Sequence, residues 1–198
     1  TNKIAEKLKN NVKLNLNEFQ LKNLSMAIEA AKLSGLRENK IFSSLKNIKD
    51  VNGRLELIRT FSNKVKVFVD FAHTPDALEK TLKSLQSYYG RNITLVFGCG
   101  GDRDFKKRPI MARIASIYCK KIFVTDDNPR NEDPKKIRNE IIKNIKFSNF
   151  FNIGNRTQAI KAAVTNAEPG EIILVAGKGH EKEQIYKNKI ISISDSQI

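Results

Sequence analysis

The sequence predicts an α/β fold: a mostly parallel sheet covered by helices on both faces, preceded by a helical stretch. Three observations predict it. From residue 65 onward, short apolar runs rich in β-branched and aromatic residues alternate with helix-length segments. Two of those segments open on an N-cap followed by proline, Thr74-Pro75 and Asp133-Pro134, the pair expected at a helix start. Glycines and charged residues gather directly after the apolar runs. Strand–helix alternation of this length implies right-handed crossovers and therefore parallel pairing.

Each element has its own warrant. Residues 17–34 place Leu21, Leu24, Ile28 and Ala31 at helical spacing, and Ser34-Gly35 closes the segment. Residues 36–52 read as a short helix and a connector ending at Asn52-Gly53. Val65–Val69 is the first clear strand, followed by a helix over Pro75–Tyr89. Ile93–Phe97, Lys121–Thr125, Phe150–Ile153 and Glu171–Ala176 are further strands, with helices expected over 107–119, 134–145 and 156–167. Residues 184–193 read as short strands or a hairpin.

With 198 residues and 40% hydrophobic content, the chain can bury one sizeable core. No apolar run is long enough to span a bilayer, and Thr1-Asn2-Lys3-Ile4 starts no signal-peptide pattern. Two cysteines imply no disulfide framework and point to a reducing cytoplasm. The net charge of +15 raises nucleic-acid binding. Its lysines are scattered among asparagines, as at Lys9, Asn10, Asn11 and Lys13, with no basic block interleaved with aromatics. A solvated surface that attracts anionic substrates is the expectation.

In open α/β sheets, ligands bind at the carboxyl ends of the strands. Four polar segments fall there: Asp70–His73, Gly98–Asp104, Asp126–Arg130 and Gly177–Glu181. Arg130 is shaped to grip a carboxylate through two parallel hydrogen bonds, against the plainer reading of a surface arginine paired with Glu132 or Asp133. Asp127 and Asn128 are expected to be partly structural, as turn formers. Glycines at 98, 100 and 101 allow close backbone approach, but G-x-G-x-x-G is not matched and no phosphate-cradling P-loop occurs anywhere. Cys99 reads as a small buried residue, Lys178 as solvated against the alternative of a phosphate contact, and Glu181 as an ammonium anchor or a cap. Both histidines, His73 and His180, fall in strand-end loops without a third ligand for a metal.

With these residues in hand, the chain resembles the Mur ligase family. The matching stretches are Gly53-Arg54-Leu55-Glu56, Val69–Asp76, Gly98–Asp104, Lys107-Arg108-Pro109, Asp127-Asn128-Pro129-Arg130 and Ala176–Glu181, in family order. The resemblance implies that residues 53–198 are the Rossmann-like C-terminal domain that binds the incoming amino acid. Residues 1–50 would be the end of the central ATPase domain, where Asn23 matches the family pattern and Gln20 departs from it. It implies ATP-dependent amide ligation: ATP, with Mg2+, phosphorylates the D-glutamate carboxylate of UDP-MurNAc-L-Ala-D-Glu, and an amine attacks the acyl phosphate. Asn23, Arg54, Asp70 and His73 would belong to the nucleotide side. Arg103, Asp127, Asn128, Arg130, Gly177 and Glu181 would hold the amino acid. The Asp-Asn-Pro-Arg form points to meso-diaminopimelate, whose far carboxylate Arg130 can clamp.

No catalytic group or metal ligand is expected within this stretch. The family's P-loop, magnesium ligands and carbamylated lysine would lie upstream of Thr1, so this stretch alone is expected to be inactive, in a cytoplasmic pathway without nucleic-acid or membrane partners. Two other readings stand beside it: a lysine-adding or other Mur or folylpolyglutamate-type ligase domain, and a basic Rossmann-like nucleic-acid-binding module.

Overall fold

A computed structural model describes residues 18–49 and 51–198; residues 1–17, including the N-terminal tetrapeptide, Lys9–Lys13 and the first residue of the helix expected over 17–34, lie outside the described residues, as does Asp50. The chain divides into two compact units, Thr1–Val51 and Asn52–Ile198.

In the first unit, helix α1 spans Glu18–Leu33. It ends on Gly35 at φ +84, with the Leu36 amide reaching back to the Ala31 carbonyl at 3.1 Å, the left-handed cap that glycine permits. Helix α2 (Glu38–Ser44) and a 3-10 turn (Leu45–Asn47) follow. Ile28, Ile41 and Leu45 are the buried centre of this unit.

The second unit holds strands β1 (Glu56–Thr60), β2 (Lys66–Asp70), β3 (Ile93–Phe97), β4 (Lys121–Val124), β5 (Phe150–Asn152) and β6 (Ile172–Ala176) in the order β1-β2-β6-β3-β4-β5. All neighbours are parallel except β1, which pairs antiparallel with β2 at the edge. The sheet is mostly parallel, as the alternation required. Strand β1 was not expected; its residues are half-buried or exposed, so it lacks the continuous apolar run of a central strand.

Four helices connect the strands: α3 (Pro75–Tyr89), α4 (Lys107–Tyr118), α5 (Pro134–Ile142) and α6 (Arg156–Thr165). Thr74 and Asp133 cap α3 and α5 through their side chains, with the prolines in the first turn. Successive residues of β6 face opposite layers. Leu174 joins Leu78, Leu82, Met111 and Ile137 of α3–α5 on one face, while Ile173 and Val175 join Ala159, Ile160 and Ala163 of α6 on the other. Helices therefore cover both faces. A hairpin, β7 (Glu183–Tyr186) and β8 (Lys189–Ser192), forms a separate two-stranded sheet where 184–193 anticipated one. Among the described residues no helix is long and apolar enough to cross a membrane.

Candidate functional site

The turn after β4 is built around Arg130, whose φ of +53 costs on the order of 1 kcal/mol for a residue with a side chain. That conformation folds the guanidinium back, so that Nη1 donates to the Gly101 carbonyl at 2.9 Å and the Asn128 carbonyl at 3.4 Å. The plainer pairing does not occur. Glu132 accepts from buried Arg108, both oxygens at 2.9 Å, and Asp133 caps α5 through the Lys135 amide at 2.9 Å. The arginine head is thus braced by backbone alone, with its charge available to a ligand.

Asp127 has two differently placed oxygens. Its Oδ1 accepts from the Asn128 amide at 2.7 Å, the turn role anticipated for it. Its Oδ2 is buried and has no hydrogen-bond partner in the protein. A side chain at Gly177 would meet that oxygen at 2.8 Å, and Gly177 stands at φ +115, so glycine is required there twice over. A carboxylate oxygen shielded from water and left unpaired is an acceptor awaiting a donor. Asn128 is largely structural: its Oδ1 receives Lys178 Nζ at 3.2 Å and the Ile185 amide at 3.1 Å, while Nδ2 donates to Glu181 at 3.2 Å.

Lys178 corrects the expectation of a solvated lysine. It is fully buried, and its ammonium bonds Asn128, Glu181 at 3.0 Å and the Glu183 carbonyl. The gain is to fix Glu181, one of whose oxygens takes both the lysine and the asparagine. Glu181 itself stays half-buried at the cleft wall.

The glycine loop after β3 is gripped from two directions. Arg108 Nη2 bonds the Gly100 carbonyl at 3.2 Å while Arg130 bonds the next carbonyl, and the Gly101 amide donates to the Asn128 carbonyl at 2.9 Å. A Cβ at Gly101 would lie 1.9 Å from the Pro129 carbonyl oxygen, so the two loops are in backbone contact. Arg103, exposed beyond this loop, lines the same cleft.

The segment after β2 divides its residues by role. Buried Asp70 accepts from Leu55 N at 2.6 Å, Ala72 N at 2.9 Å and Thr81 Oγ1 at 3.2 Å. Burial raises its carboxyl above the ordinary value despite these bonds. Both oxygens are therefore committed to the protein, and their effect is to hold Leu55 at φ +50 and with it the loop carrying Arg54. The exposed Arg54 guanidinium lies 4.3 Å above the Phe71 ring. His73 meets the same ring edge-on at 4.7 Å, and His180 flanks it at 5.7 Å. Phe71 was missed: nothing in its sequence position separates a platform from a packing residue. Asn23 lies exposed on α1, in the other unit.

A cleft of about 500 Å³ results, walled by His73, Arg103, Asp127, Asn128, Arg130, Gly177 and Glu181, with Lys107 at its rim. Arg54 stands beside it on Phe71, whereas Asp70 lies beneath. Cys99 also borders it, but burial pushes the thiol up to about 12, and its sulfur rests 3.9 Å from that of Met111. It is not a nucleophile. In the folded chain neither Cys99 nor the equally buried Cys119 should react with iodoacetamide at pH 8, while both should in guanidinium chloride; alkylation of the native protein, read by intact mass, would contradict this burial.

Residues 53–179 match the family model described as Mur ligase, glutamate ligase domain. The chain is 41% identical over 196 residues to a Rickettsia typhi protein named UDP-N-acetylmuramoyl-L-alanyl-D-glutamate–2,6-diaminopimelate ligase, covering 96% of this chain and 39% of that protein. A Rickettsia bellii protein of the same name is 40% identical over 185 residues, 92% of this chain and 38% of the relative. A solved structure of a ligase so named aligns with a TM-score of 0.70 at 36% identity, over 93% of this chain and 38% of the other. A folylpolyglutamate synthase from Thermotoga maritima aligns at 0.60 with 26% identity, covering 84% of this chain and 37% of its own. The chain spans less than half the length of these relatives.

Proposed function

The chain belongs to the Mur ligase family, and from that premise we propose that residues 53–198 are the amino-acid-binding domain of an ATP-dependent ligase that adds meso-diaminopimelate to UDP-MurNAc-L-Ala-D-Glu. Residues 1–50 would close the central ATPase domain. The reaction would serve peptidoglycan precursor synthesis in the cytoplasm.

The observation that carries the substrate is the pairing of opposite charges across one cleft. Arg130 offers a cation braced only by backbone, and Asp127 Oδ2 offers a buried acceptor without a partner. The far end of meso-diaminopimelate carries a carboxylate and an ammonium on one carbon. Arg130 would take the carboxylate, and Asp127 with Glu181 the ammonium. Lysine has the ammonium and no carboxylate there, leaving the guanidinium unmatched. Arg103, which lines the same cleft, suits the carboxylate next to the reacting amine.

With both ends held, the free amine is aimed at the acyl carbon of the D-glutamyl phosphate. Attack forms the C–N bond, the C–O bond to phosphate breaks, and inorganic phosphate leaves as the amine loses a proton. ATP supplies the activation that makes phosphate the leaving group. On its side of the cleft Arg54 fits a polyphosphate, being exposed and steadied over Phe71. Asp70 would contribute by holding that loop rather than by contacting the ribose. Among the described residues no three His, Cys, Asp or Glu side chains converge on a metal position, so Mg2+ receives no cage from them.

The test is an NMR titration of the 15N-labelled chain with meso-diaminopimelate and, separately, with L-lysine. Shifts confined to residues 101–104, 127–130 and 177–181, with diaminopimelate alone, are the expected result. Equal shifts with both amino acids would remove Arg130 as the discriminator, and shifts with lysine alone would overturn the substrate.

A further inference from the structure

We propose that the β7–β8 hairpin sets acceptor selectivity, with Gln184 and Tyr186 as positioning residues that aim Arg130 without touching the substrate; the proposal rests on the amino-acid-binding reading above. The hairpin contributes little to the core. Within its two strands only one side chain is buried, and that one is polar, Gln184. A two-stranded hairpin is marginal by itself, so its partners elsewhere must account for it.

Those partners are the turn that carries Arg130. The Arg130 amide donates to the Ile185 carbonyl at 2.9 Å, and its own carbonyl accepts from the Lys187 amide at 2.6 Å. Both backbone groups of the left-handed residue are therefore held by the neighbours of Tyr186, with which it forms a parallel bridge. Gln184 Nε2 donates to the carbonyls of Asp126 at 3.0 Å and Asp127 at 2.6 Å. The Tyr186 hydroxyl donates to Asp126 Oδ2 at 2.9 Å, opposite Arg138 on the other oxygen. The Ile185 amide donates to Asn128 Oδ1 at 3.1 Å. Asp126, Asp127, Asn128 and Arg130 are thus each bonded from the hairpin.

The consequence for Arg130 is directional. A residue with a side chain leaves φ +53 unless its surroundings hold it there. Release would rotate the guanidinium away from the Gly101 carbonyl and off the position from which it faces the cleft. A displacement of about 1 Å in such a clamp can cost up to roughly 10²-fold, and where the lost contact is made alike in ground and transition states the cost appears in KM.

The experiment uses Gln184→Leu, which keeps volume and removes both donors, and Tyr186→Phe, which removes one. In the full-length ligase carrying this chain, Gln184→Leu should raise KM for meso-diaminopimelate by about 10-fold, with kcat within about twofold, and lower the preference over L-lysine by a similar factor. Tyr186→Phe should move both in the same direction by less. Loss of kcat and melting temperature with the preference intact would mean that the hairpin only stabilises the fold, and would overturn the proposal. In parallel, hydrogen exchange on the 198-residue chain should show the Arg130 and Lys187 amides losing protection in Gln184→Leu. Unchanged protection would overturn the clamp whatever the kinetics. Should the wild-type ligase prove to use another amino acid, the exchange data would still decide the clamp, and only the substrate reading would fall.

Discussion

In the full-length ligase, Arg130→Ala is expected to lower kcat/KM for meso-diaminopimelate by roughly 10²-fold and to leave that for L-lysine within a few-fold. Removing one partner of a desolvated, hydrogen-bonded charge pair costs about 2–5 kcal/mol. At about 1.4 kcal/mol per factor of ten, about 2.8 kcal/mol, in the lower half of that range, gives the stated loss. Alanine carries the same left-handed strain as arginine at this position, so the comparison reads the side chain and not the backbone. Arg130→Lys should recover little, since an ammonium cannot reproduce the planar fork. Competition assays with both amino acids present give the ratio directly. A variant that keeps the wild-type preference would remove Arg130 from the selectivity it is assigned.

The second large effect concerns stability. Arg156 and Asp195 form a fully buried pair, Nε and Nη2 each 2.7 Å from a carboxylate oxygen, and Nη2 also donates to the Ala176 carbonyl at 3.0 Å. Asp195→Ala would strand a buried guanidinium and should destabilise the chain by about 3–5 kcal/mol. For a unit of this size that lowers the melting temperature by roughly 6–20 °C. Replacing both partners by apolar residues, Arg156→Met with Asp195→Leu, should restore most of the loss, because the cost lies in the uncompensated charge. Thermal unfolding followed by circular dichroism measures all three proteins. A single substitution costing under about 1 kcal/mol would show that water reaches the pair.

What could be seen in the sequence follows from how each feature is encoded. Strand β6 was legible because all five of its residues are buried, which leaves an uninterrupted apolar run. Strand β1 was not, because an edge strand mixes exposed and half-buried residues within five positions. The cleft residues were legible as a set, since parallel pairing puts the carboxyl ends of β2, β3, β4 and β6 on one side. Their partners were not. Glu132 was offered to its neighbour Arg130 but belongs to Arg108, 24 residues away. Lys178 looked like any surface lysine, because nothing local records that Asn128, 50 residues earlier, is waiting for it. Arg156 and Asp195 are 39 residues apart, and their union exists only in the folded chain. Hydrogen-bond partners across the fold are tertiary facts, and periodicity does not carry them.

Gly53 and Gly179 meet with no side chain between them: a Cβ on Gly53 would lie 2.2 Å from the His180 nitrogen, and one on Gly179 2.7 Å from the Gly53 oxygen. The loop that presents Arg54 and the loop that presents Glu181 thus abut as bare backbone, with nothing compressible to absorb a movement of either. In the proposed ligase, a nucleotide held by Arg54 and an amino acid held by Glu181 would sit on loops in direct backbone contact. Whatever factor nucleotide at Arg54 imposes on the affinity for amino acid at Glu181, the amino acid returns to the nucleotide in equal measure. A side chain placed at either glycine is therefore where such a linkage would be tested.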